Sequence, residues 1–261
     1  MSPNRALPLL SGLLALSMLP GCQTNNPAST PDAETRAAQA QAKTTFVRQF
    51  QQVLIHDLAA ANRDGLSGSL SLMVTLDRQN RPVACEVQRT RPSLLKNLPQ
   101  GQSAFYPQAL SDLVVEQCWK GIYPRVPAHM IGDDKTIDVL APLFVLPQGP
   151  EGMSAGWRTD NARRDFFWQQ LMREQPVDSI GVASVIYRGD AQGKVLDCVA
   201  NLHPNPLRPD AYKVNGTLQE TLSTRCKALD LRAMPGFEPD AQGMVLGSVL
   251  VEYAPWKVGR R

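Results

Sequence analysis

The sequence predicts an α+β protein of two tandem small domains, each running helix-strand-strand-helix-strand, with a three-stranded antiparallel sheet backed by helices. Three observations predict it. A hairpin pattern occurs twice, cysteines stand in matching places of both copies, and amphipathic helical stretches flank each hairpin.

In the first copy Phe46, Phe50, Val53, Leu54 and Leu58 recur at the spacing that lines one face of a helix. Leu70, Leu72, Val74 and Leu76 then alternate with small or polar residues, the period of a strand with one buried face. Asp77 opens a turn in which Asn80 tolerates positive φ, and the returning strand is expected to carry Val83, Cys85 and Val87 on one face. A proline-bearing loop leads to a helix from Pro107 to about Lys120, with Leu110, Leu113, Val114 and Cys118 along its apolar stripe. Strand Thr136–Val145 closes the unit.

The second copy repeats this order. Phe166, Phe167, Gln170 and Leu171 mark its opening helix. Laying Cys198 on Cys85 brings Asp190 onto Asp77, Gln192 onto Gln79, Gly193 onto Asn80 and Lys194 onto Arg81, so the hairpin turn is duplicated. Leu196, Cys198 and Ala200 are expected on one face of the returning strand, followed by a helix over roughly Pro209 to Ala228 with Leu218, Leu222 and Cys226, and by strand Val245–Tyr253. Pro, Gly and Ser are dense over residues 147–156, which places the domains at 42–147 and 157–256.

Ahead of both lies a segment of another kind. One cation, Arg5, precedes an apolar run from Ala6 to Leu19, and about 14 residues is too short to span a bilayer core. Leu19-Pro20-Gly21-Cys22 follows, and it resembles the bacterial lipobox. That resemblance implies a signal peptide over residues 1–21, lipidation of Cys22, and an exported chain held to a membrane by its lipid. Gln23 rather than Asp after the cysteine implies, by the sorting habit of such lipoproteins, a periplasm-facing outer-membrane location. Residues 22–41, rich in Asn, Pro, Ser, Thr, Ala and Gln, are expected to form a flexible tether.

Of five cysteines, Cys22 is assigned to the lipid and four remain, two per copy, allowing three pairings. The repeat favours Cys85–Cys118 and Cys198–Cys226, since each domain then closes its own bridge in an oxidising compartment. Each bridge would close a loop of about 30 residues, a constraint of roughly 3–4 kcal/mol in the chain-entropy model.

The first copy also resembles the carboxy-terminal domains of TonB and TolA. The residues that carry this are Gly68-x-Leu70-x-Leu72-x-Val74-x-Leu76-Asp77, then Phe105-Tyr106-Pro107-x-Ala109-Leu110, Cys118-Trp119 and Tyr123-Pro124-x-Val126-Pro127. The resemblance implies a small sheet backed by helices whose closing strand accepts a partner segment by strand addition. Carried onto this chain, the partner-binding edges are Thr136–Val145 and Met244–Tyr253, with Ile137, Val139, Val249 and Val251 on the flanking faces. It also departs from TonB and TolA, having neither an inner-membrane helix nor a long spacer, which points to an adaptor rather than an energy transducer.

Chemistry leaves few marks. The net charge of +3 is spread without a Lys/Arg block, so nucleic acid is not an expected partner. There is no Gly-x-Ser-x-Gly elbow, His-Glu-x-x-His pair or phosphate-binding glycine loop, no Cys-x-x-Cys, and the three histidines are scattered. No metal, no small-molecule cofactor and no catalytic residue is expected. His56, His129 and His203 read as surface or half-buried side chains, and Asp77 and Asp190 as turn formers. Arg163-Arg164 and Arg260-Arg261 read as solvated. The expectation is a non-catalytic envelope lipoprotein that binds a protein or peptide, as adaptor or accessory part of a transport or secretion system. The alternatives are a periplasmic toxin-neutralising immunity lipoprotein and an envelope hydrolase.

Overall fold

A computed structural model describes residues 32–96, 105–146 and 155–258. The first domain comprises α1 (Ala33–Ala61), β1 (Gly68–Asp77), β2 (Pro82–Gln88), the single-turn α2 (Pro92–Leu95), α3 (Gln108–Lys120) and β3 (Thr136–Val145). The second comprises α4 (Ala155–Phe167), which runs into a π-helical turn at Trp168–Met172, then β4 (Gly181–Asp190), β5 (Val195–Pro204), α5 (Gly216–Lys227) and β6 (Met244–Tyr253). Both sheets are antiparallel and share one topology, β2-β1-β3 and β5-β4-β6, so each first strand is central and each closing strand lies at an edge.

The alternation in β1 has the physical consequence its period requires. Leu70, Leu72, Val74 and Leu76 are all fully buried, against Phe46, Phe50, Leu54 and Leu58 of α1 and Leu110 and Val114 of α3. Burial of each such side chain contributes about 1.5–3 kcal/mol relative to exposure. Phe50 stacks on Tyr123 at 4.7 Å, and burial pushes the Tyr123 hydroxyl far above its ordinary range. The second core repeats the plan with Val185, Tyr187, Phe167, Leu171, Leu218 and Leu222. Cys85 is bonded to Cys118 and Cys198 to Cys226, with Cα atoms 6.1 and 5.9 Å apart, so each bridge ties a returning strand to the helix that covers it.

The hairpin turns match in detail. Asp77 Oδ1 accepts from the backbone N–H groups of Gln79 and Arg81, and Asp190 Oδ1 from those of Gln192 and Lys194, at 2.9–3.0 Å. Asn80 and Gly193 take φ of 59° and 82°. Asn80 is buried, and its Oδ1 accepts from the Val126 N–H at 3.3 Å, an anchor that glycine cannot supply. A third copy of the turn, Asp240-Ala241-Gln242-Gly243, leads into β6 with the same two carboxylate bonds.

Several expectations are corrected. Residues 33–41 are helix rather than tether: Asp32 accepts from the Thr35 N–H at 2.7 Å, Glu34 sits in the first turn, and alanine-rich sequence forms helix without an apolar face. Residues 1–31, Cys22 among them, lie outside the described residues. In the second domain α5 begins at Gly216, where Asn215 caps the Leu218 N–H at 2.9 Å, while Pro209–Ala211 forms a separate 3-10 turn. Val83 and Leu196 point outward, 46% and 47% exposed, because a β-bulge falls at the same place in both hairpins, between the pairs Thr75–Ala84 and Leu76–Pro82 and between Arg188–Asp197 and Gly189–Val195. The extra residue turns out so that Pro82 and Val195 face the core with the cysteines that follow. Gln170 is exposed; the π turn brings Met172 to the core instead.

The domains dock on each other. Ile122 of the first packs with Ile180, Ala254 and Trp256 of the second, and the Trp256 indole N–H donates to the Gly121 carbonyl at 3.1 Å. The buried Arg208 guanidinium donates to the Gln79 carbonyl at 2.9 Å, and burial pulls its pKa down.

Candidate functional site

The two closing strands are edges, but the side chains named on them face inward. Ile137 and Val139 stand opposite Leu76 and Val74, and Val249 and Val251 opposite Val185 and Ala183, all on the core faces of their sheets. Ile137, Val139 and Val249 are accordingly half-buried and Val251 is 1% exposed. Period two leaves the opposite set on the outer faces: Asp138, Leu140 and Pro142 in β3, and Leu246, Ser248 and Leu250 in β6.

The four sheet edges differ in how they are closed. Along β5 the N–H groups of Ala200 and Leu202 donate to Ser223 Oγ at 3.0 Å and Gln219 Oε1 at 3.5 Å, so α5 covers that edge. In β3, Pro142 stands opposite Ser71 and removes a donor, a common blunting device of edge strands. β2 is short and bulged, with Val115 and Ser111 of α3 at the places of Ser223 and Gln219. β6 is a regular ten-residue strand without proline; α4 and its π turn pack beside it, and no strand among the described residues pairs with its outer edge. The face beside it is apolar: Ile186, Val199, Leu246 and Leu250 are 52%, 42%, 67% and 58% exposed. Sequence reasoning placed the edge and missed this face.

Where the domains meet, a groove of about 740 Å³ opens between α1 and α3 on one side and α4 with the end of the second sheet on the other. It brings together His56 and His203, which sequence left unconnected, whereas His129 lies exposed elsewhere on a 3-10 turn. His56 Nδ1 lies 3.4 Å from Asp57 Oδ1, and that carboxylate is the main reason its pKa is raised. The described lining contains no Ser, Thr, Cys or Tyr, so this pair has no hydroxyl or thiol beside it to activate. Asp165 of α4 pairs with Arg63 across the groove, and Glu116 pairs with Lys120 along α3 on its wall. Asn161 and Trp168 also line it, and the Asn161 amide nitrogen and the Trp168 indole N–H are buried there without a hydrogen-bond partner.

Two further expectations are settled by contacts. Asp77 and Asp190 are turn formers, as described above. Arg163 is only partly solvated: it donates to the Pro235 carbonyl at 3.1 Å and the Gly236 carbonyl at 2.7 Å, while Arg164 lines the groove. Arg260 and Arg261 lie outside the described residues. Among the described residues no group of three or more His, Cys, Asp or Glu is arranged to hold a metal ion, and no helix is long and apolar enough to cross a membrane. Comparison with family models, with curated proteins and with solved structures returns no match.

Proposed function

We propose that the protein is a non-catalytic, periplasm-facing outer-membrane lipoprotein, anchored through Cys22, that holds a protein or peptide segment against its second domain. In this reading the two domains are TonB/TolA-like modules and the whole is an adaptor of an envelope transport or secretion assembly. The anchor is supported by the apolar run ending at Leu19-Pro20-Gly21-Cys22. Non-catalytic binding is supported by a described groove lining in which the two histidines have no hydroxyl or thiol beside them. The observation that carries the reading is the second sheet itself, where an unpaired strand edge runs beside the exposed Leu246 and Leu250. An extended segment added there gains main-chain hydrogen bonds along β6 and alternate apolar contacts on the outer face.

Site-specific photo-cross-linking in cells tests it. A cross-linker at position 250 is expected to trap one saturable envelope adduct, and a cross-linker at position 142, the matching outer-face place of the first sheet, none. Equal adducts from both places, or none from position 250, would remove the basis of the reading. Loss of lipid incorporation in Cys22→Ser tests the anchor separately.

A further inference from the structure

We propose that one face of α4 and its π turn forms a carboxylate-binding subsite in the groove between the domains, built from Asn161, Arg164 and Trp168. These residues stand at i, i+3 and i+7, so successive turns present them to the same side. All three offer donors. Arg164 NH1 donates to Asn161 Oδ1 at 3.1 Å, which occupies the amide oxygen and leaves the buried amide nitrogen without a partner. Asn161 is 5% exposed, and neither its Nδ2 nor Trp168 Nε1 has a partner among the described residues. A buried donor left unmade is costly, and natural proteins keep few of them, so two on one face of the same helix, both lining a groove, call for an acceptor from outside.

Charge defines that acceptor. Every carboxylate in the groove already has a cation: Asp165 has Arg63, Glu116 has Lys120, Asp57 has His56, and Glu252 has Lys257 at 3.7 Å. Arg164 is left over, with no carboxylate at ion-pair distance among the described residues. A planar anion that accepts two hydrogen bonds from a guanidinium and one from each neighbouring N–H completes the set. With the carboxylates already paired, the surplus is a single guanidinium charge, which a singly charged carboxylate balances and a phosphate dianion overshoots. Trp168 opens the π turn, and such single-turn insertions recur at functional sites because they re-aim one side chain. The groove, about 740 Å³, is of the size that takes a short peptide segment. The inference deepens the peptide-binding reading above and rests on it for the ligand class.

The test follows the tryptophan indole N–H signals by NMR on the intact protein, with Trp168 assigned through Trp168→Phe. Titration with N-acetyl-Ala-Ala-Ala bearing a free carboxylate is expected to move the Trp168 indole signal saturably. The same peptide as its amide should bind at least about tenfold more weakly, the loss expected when a charge-assisted hydrogen bond is removed. Arg164→Gln should abolish the carboxylate preference while the Trp256 signal stays in place, showing that the domains remain docked. N-acetyl-Ala-Asp-Ala amide tells an internal acidic side chain from a chain terminus as the source; response to either supports the subsite. Equal binding of acid and amide, tighter binding of inorganic phosphate, or an unmoved Trp168 signal overturns it. Leu250 lines the same groove, so a cross-linker at position 246, on the same strand but outside that lining, reads the adduct independently; its survival alongside a failed titration rejects the subsite alone.

Discussion

The two sheets share a topology, a bulge, a turn and a disulfide position, yet their outer faces have become different surfaces. Ile186, Val199, Leu246 and Leu250 of the second sheet are matched in the first by Met73, Glu86, Asp138 and Pro142. Asp138 accepts from the Thr75 hydroxyl at 2.6 Å, so the first sheet's outer face is occupied by its own polar bonds. The returning strands diverge the other way, with Ser223 and Gln219 covering β5 and Val115 and Ser111 beside β2. The two units thus share what folds them, the inner face and its staple, while the edges differ, and β6 is the long one with neither a proline nor a strand partner among the described residues. A shared fold therefore says little about which copy binds; the outer face says more.

The largest expected effect probes what the copies share. Replacing Cys198 and Cys226 by serine should lower the stability of the second domain by about 3–4 kcal/mol, and Cys85 with Cys118 should do the same to the first. Urea unfolding followed by a probe in each domain checks this. A loss borne equally by both domains would show that the staples do not act locally. Next, Arg208→Ala should loosen the docking by about 2 kcal/mol, because it removes a charged donor from the Gln79 carbonyl and buried packing with it, read as separation of the two unfolding transitions. Smaller still, Ser223→Ala should cost about 1 kcal/mol by leaving the Ala200 N–H without its acceptor, and it should speed amide exchange at Ala200.

The smallest effect is in pH. Asp57 raises the His56 pKa above its ordinary 6.5, so the stabilisation is fully present below that value and fades as pH rises through the higher folded-state pKa. His56 is half exposed, so solvent keeps the contribution small. An NMR titration should place His56 above 6.5, and Asp57→Asn should bring it down.

Legibility followed locality. The strand period of Leu70 to Leu76, the Asp77 and Asp190 turns and the matched cysteines are set by residues close in sequence or repeated, and each was readable. The early start of α1 was not, because alanines and an Asp32 cap form helix without the apolar period that was sought. The inward turn of Val249 and Val251 depends on pairing register with β4, which strand composition alone does not reveal. The groove was out of reach: it joins His56, Arg164 and His203 through the way two domains dock, and nothing local to any of them encodes that.

The measurement closest to the central claim transplants the first sheet's outer residues onto the second. Partner affinity is compared among the native protein, the double variant Leu246→Asp with Leu250→Pro, and Met73→Asp in the first domain, after confirming that all three stay folded. The account predicts at least about a tenfold loss for the double variant, as for removal of a buried apolar anchor, and native affinity for Met73→Asp. Native affinity in the double variant, or an equal loss from Met73→Asp, would contradict it.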